Sequence, residues 1–172
     1  YGWSGTSKPV PVSKQNRKIG SSIAFPFYRE LDPDPKAQLA LALYREGLTV
    51  NSTPFSFLSY FKILNIFWQD KFLTVSGKRE NPLIEGIRNN LQCIRDPQAI
   101  ERLTFLSTSQ PDVATYLYQS GRCAVAHAFT SPIVDPDDLT DLHRLSSDLS
   151  IIKSLAEHLI ISNLGVSKSI SK

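Results

Sequence analysis

From Asp34 onward the chain repeats one device: a capping-type residue, then proline, then apolar positions at helical spacing. Proline suits the first turn of a helix, because the N–H it lacks would have no intrahelical partner there. Asp34-Pro35 opens KAQLALALYREG, and Gly47 reads as the residue that stops this helix. Thr53-Pro54 opens FSFLSYFKILNIFWQ, a stretch apolar nearly all round and so predicted to run through the centre of a bundle or under a partner. Asn81-Pro82 opens LIEGIRNNLQCIR, with Leu83, Ile87, Leu91 and Ile94 along one face. Asp96-Pro97 opens QAIERLTFL, and Gln110-Pro111, with Ser109 as cap, opens DVATYLYQSGRCAVAHAF. A last helix lacks the proline start. Asp138 or Thr140 caps it, Leu142, Leu145, Leu149, Ile152, Leu155 and Leu159 form its stripe, and Gly165 ends it. Six helices without a convincing internal strand predict an all-α fold, a bundle of five to six helices.

The first thirty residues follow another pattern. Tyr1 to Gly20 mixes Gly, Ser, Pro and Lys without periodicity, which reads as an irregular arm. Ser22 to Tyr28 alternates enough for a short strand, which Pro26 would confine to a sheet edge. The sequence contains no Met, so we expect a fragment or processed chain whose residues 1–30 are the remnant of a truncated preceding domain, with the helical domain over 31–172. The tail from Ser167 to Lys172 is expected to fray.

Composition excludes more than it selects. A chain of 172 residues can bury one substantial core, and its hydrophobic fraction of 41% is ordinary for a globular domain. The longest apolar run contains Lys62 and Asn65 and is too short to span a bilayer. Cys93 and Cys123 lack the spacing of a zinc site or a disulfide framework, so two reduced thiols in a cytoplasmic protein are expected. Net charge is only +3, and basic residues cluster in the arm alone: Lys8, Lys14, Arg17, Lys18 and Arg29 against Glu30. His143 and His158, with Asp141 or Glu157, have no compact metal-ligand spacing, and Asp135-Pro136-Asp137-Asp138 lacks a calcium loop, so it reads as a capping turn. No metal and no cofactor is expected.

The segment TYLYQSGRCAVAHAFTSP is more specific. Ala124, Ala126 and Ala128 allow another helix close, and Arg122 and His127 are the ionisable groups beside Cys123. An R-x4-H spacing in a helical bundle resembles the HEPN superfamily. That resemblance implies a homodimer with two motifs facing each other and, in many members, metal-independent RNA cleavage. The segments KAQLALALYREGLTVNSTPFSFLSYFKILN, SGRCAVAHA and VDPDDLTDLHRLSSDLSIIKSLAEHLI together resemble the methylamine utilisation protein MauJ family over roughly residues 36 to 165.

The chemistry such a motif would perform is definable. A histidine, with an ordinary pKa of about 6.5, can exchange a proton with an RNA 2′-hydroxyl near neutral pH. Arg122 would bind the phosphate with its planar fork of donors, making it the candidate substrate-binding as well as catalytic residue beside His127. Positions five apart lie about 140° round an ideal α-helix, so either the helix begins or kinks near Gly121 or a dimer supplies the second half of the site. HEPN nucleases usually carry a polar residue after the arginine, whereas Cys123 stands here. A thiol neither holds phosphate nor orients water well. The expectation is therefore a non-catalytic accessory or interaction module, with Arg122 paired to an acid such as Asp135 or Asp148 and His127 bonded to backbone. A metal-independent endoribonuclease or RNA-binding module is the alternative.

Overall fold

The computed structural model describes residues 27–28, 34–75, 78–127, 134–135 and 137–168. The helices fall where the proline device places them: α1 Pro35–Thr49, α2 Thr53–Phe67, α3 Pro82–Asn90 and α4 Pro97–Ser109, each with proline in its first turn. Carboxylate or amide caps complete three of these starts. Asp34 accepts from the Lys36 amide, Asn81 from Leu83 and Asp96 from Ala99, each at 2.9 Å. These bonds satisfy donors that the first turn leaves without partners.

Helix α2 lies between α1 and α7 (Leu139–Leu164), with α4 on the other part of α7. Its apolar circumference is thus explained by core burial: Phe57, Phe61, Ile63 and Leu64 are buried, and Tyr60 packs its ring 5.3 Å from that of Tyr44 on α1. Helix α7 contributes Leu145, Ile151, Ile152, Leu155, Leu159 and Ile160, with Leu142 and Leu149 of its stripe half-buried. Asp138 is its cap, accepting from the Thr140 amide at 2.7 Å, and Gly165 ends it in the left-handed region at φ 62°. The Asp135–Asp138 segment is the expected capping turn, since Asp135 accepts from the Asp137 amide. Among the described residues no helix is long and apolar enough to cross a membrane.

Four expectations need correction. Gly47 does not stop α1, which continues to Thr49; it is buried where an added Cβ would come within 2.7 Å of the Tyr60 ring, so close packing requires it. Two strand pairs exist where no internal strand was expected. Strands β2 (Leu73–Val75) and β3 (Lys78–Glu80) form an antiparallel hairpin between α2 and α3, too short to show an alternating pattern. Strand β1 (Phe27–Tyr28), the last two residues of the expected arm strand, pairs with β4 (Ser167–Lys168). Ser167 and Lys168 are therefore tied rather than frayed; residues 1–26 and 169–172 lie outside the described residues. Finally, the fifth helix does not start at Pro111 under a Ser109 cap. Ser109 ends α4, and Asp112 caps α5 (Val113–Tyr116) by accepting from the Ala114 amide.

Candidate functional site

The motif helix is not a regular α-helix. After α5 the chain winds as a π-helix over Leu117–Cys123, then makes one α turn, α6 (Ala124–Ala126), before His127 turns extended at φ −133°. The Ala124 amide donates to the Gln119 carbonyl, the five-residue bond that defines the wider winding. Three contacts hold it. Gly121 lies against the ring of buried Phe57, Arg144 donates to the Ser120 carbonyl at 2.9 Å, and the Tyr116 hydroxyl donates to Asp148 at 2.9 Å.

This irregularity resolves the geometric problem of the motif within one chain. Arg122 Nη1 lies 2.9 Å from His127 Nε2. A guanidinium can only donate, so Nε2 accepts and the neutral ring carries its proton on Nδ1. Arg122 Nη2 lies 2.6 Å from Asp70 Oδ2, with the two side chains 24% and 14% exposed. Asp70 Oδ1 also accepts from the Tyr118 hydroxyl at 2.8 Å and from Asn81 Nδ2 at 3.1 Å. The Arg122 guanidinium sits 5.7 Å from the Tyr118 ring centre, and its Nη1 lies 3.9 Å from Cys123 Sγ. Burial, aided by the bond to Asp70, raises the Tyr118 phenol above its ordinary pKa and keeps it protonated as a donor.

Asp70 is the residue the sequence reading missed, forty-eight positions before its Tyr118 partner. It corrects the expected pairing of Arg122 with Asp135 or Asp148. Asp135 instead serves the turn before α7. Asp148 is buried and taken by Arg102 Nε at 2.8 Å, by Tyr116 and by the more distant Arg144 at 3.6 Å. Burial raises the Asp148 carboxyl above its ordinary range, against the opposing pull of Arg102. At its Nε2, His127 meets Arg122.

The position of Asp70 gives this chain of bonds its meaning. Asp70 and Asn81 flank the β2–β3 hairpin, and their mutual bond closes its base. Asn81 also caps α3 through its Oδ1. Tyr118 and Arg122 then fasten that base to the motif helix. Beyond the lock, Phe72 meets the Tyr118 ring edge-on at 6.5 Å, and the Arg79 guanidinium lies 4.5 Å from the Phe72 centre. Among the described residues no group of three or more His, Cys, Asp or Glu side chains is placed to hold a metal, and Cys93 and Cys123 form no disulfide.

Fold and site together define an all-α bundle bearing one small hairpin, pinned by a carboxylate–arginine–histidine chain. Residues 40–161, well over half of the sequence and containing every member of the lock, match the family described as methylamine utilization protein MauJ, and the chain belongs to that family. No curated protein and no solved structure matches it.

Proposed function

We propose that this MauJ-family chain is a non-catalytic accessory or interaction module, in which Arg122 and His127 act as a structural lock. The observation that carries the reading is the use of the motif's own chemistry. Arg122 spends one nitrogen on Asp70 and another on His127 Nε2, the atom a general base would need. A phosphate approaching Arg122 would meet a guanidinium whose charge Asp70 already balances, in a pair sheltered enough to resist displacement. Cys123, which follows the arginine, adds no donor suited to phosphate.

A HEPN-like metal-independent endoribonuclease, two motifs facing each other in a homodimer, is the second reading. What favours it is that a π-wound segment, a form of helix concentrated at functional sites, brings a partly exposed arginine and histidine side by side. Incubating the purified protein and its His127→Ala variant with a mixed single-stranded RNA pool in EDTA separates the two. The lock predicts no cleavage by either protein and a lower urea midpoint for the variant. Cleavage by the wild type that leaves cyclic-phosphate ends and disappears in the variant would establish the nuclease.

A further inference from the structure

We propose that the β2–β3 hairpin is a docking edge for an extended, acidic segment of a partner protein. The inference rests on the accessory-module reading, and it names the surface and the chemistry of the partner.

The hairpin stands clear of the bundle. Lys71, Phe72, Leu73 and Thr74 are consecutive and all exposed. Phe72 and Leu73 are 45% and 36% exposed, an aromatic and an aliphatic residue side by side in water. Among the described residues the sheet has two strands only, so each strand keeps one edge of backbone donors and acceptors without a strand partner. An extended segment can add to such an edge through main-chain bonds, while its side chains select by what lies above and below.

Charge selects the partner. Lys71 adjoins the apolar pair and Arg79 lies over Phe72, and among the described residues neither cation is paired with a carboxylate. Of the two neighbouring acids, Asp70 is held by Arg122, Tyr118 and Asn81, and Glu80 faces Leu73 across the hairpin, leaving the cations in excess. The same cations repel the hairpin edges of other copies and favour an acidic strand. Nucleic acid fits less well. One face of Phe72 lies under Arg79 and its edge contact with Tyr118 fixes the ring, so the surface lacks an open stacking platform, and Leu73 has nothing to stack. The lock supplies the remaining requirement. The bond between Asp70 and Asn81 ties the base of the hairpin, which lowers the ordering cost of binding.

The test is selection of a randomised display library of about twelve-residue peptides, long enough to lay a few residues along the three-residue edge with flanking residues to spare, on the full chain. Enriched peptides are then titrated by fluorescence anisotropy. We expect acidic residues interleaved with apolar ones, and affinities about ten-fold or more weaker for Phe72→Ala and for the double variant Lys71→Glu/Arg79→Glu. Both variants should stay folded, losing only the small stability that the Phe72 contacts with Tyr118 and Arg79 supply. No enrichment, no acidic bias, or equal binding by the variants overturns the proposal. So does a uridine-rich RNA oligomer that binds through these residues where the peptides do not. The lock stands or falls separately, on whether Arg122→Gln lowers stability.

Discussion

Replacing Gly121 by alanine tests whether the π-wound segment is held by packing. An added Cβ would lie 2.7 Å from Phe57 Cε1 and 3.3 Å from Cε2, and closer still to Cζ. Cβ atoms essentially never approach that closely, so ring or helix must move. Phe57 is fully buried and stacked on Phe61 with centroids 5.5 Å apart, which leaves the ring no free direction. Overpacking of this kind costs about 1–3 kcal/mol. Removing glycine from a helical position returns about 0.5–1 kcal/mol. The expected net loss is therefore on the order of 1–2 kcal/mol, a fall in Tm of roughly 2–8 °C for a domain of this size. Urea denaturation followed by far-ultraviolet circular dichroism measures it. Phe57→Leu shortens the offending ring, so the double variant should be more stable than the two single losses added together, with a coupling of about 1 kcal/mol. A Gly121→Ala protein as stable as wild type, or more so, would refute the packing argument.

Two further outcomes follow from the buried network and the phenols. Asp148→Ala leaves the Arg102 and Arg144 cations without their buried carboxylate and should cost about 3–5 kcal/mol by the same denaturation assay; a loss under about 1 kcal/mol would contradict it. Tyr44, Tyr60, Tyr116 and Tyr118 have phenols raised chiefly by burial, so the folded chain retains protons that the unfolded chain gives up above the ordinary phenol pKa of about 10. Their stabilising contribution is complete below that pH and is lost as pH rises beyond it. Tyrosinate absorbance should show these four ionising only with alkaline unfolding; all tyrosines titrating near pH 10 in the folded chain would be the contrary result.

How legible this was in the sequence depended on how local each cause is. The starts of α1 to α4 were readable because proline and an adjacent cap act within four residues, and Gly165 ended α7 for a similarly local reason. The same glycine rule failed at Gly47, where the cause is the Tyr60 ring, a neighbour only in the folded chain. The hairpin was invisible because three residues per strand cannot display a period of two. At the site, Arg122 and His127 were found by spacing, and their misfit to an ideal helix pointed to a start or kink near Gly121, where the chain instead winds as a π-helix. Asp70 could not be found this way. Its role comes from where the end of α2 meets the π-wound segment, and nothing in DKFLTV distinguishes it from a solvated acid. The basic residues of the hairpin were passed over too, because Arg79 reaches Phe72 only when the strands pair.

The double-mutant cycle of Asp70→Asn and Arg122→Gln, read by urea denaturation, tests the lock most directly. Each single change breaks a sheltered charge-assisted bond and should cost about 1.5–3 kcal/mol. Because both act on one interaction, the double variant should lose less than the two together, with a coupling of at least about 1 kcal/mol. Additive losses, or single variants as stable as wild type, would mean that Arg122 does not hold the hairpin base and is available for other chemistry.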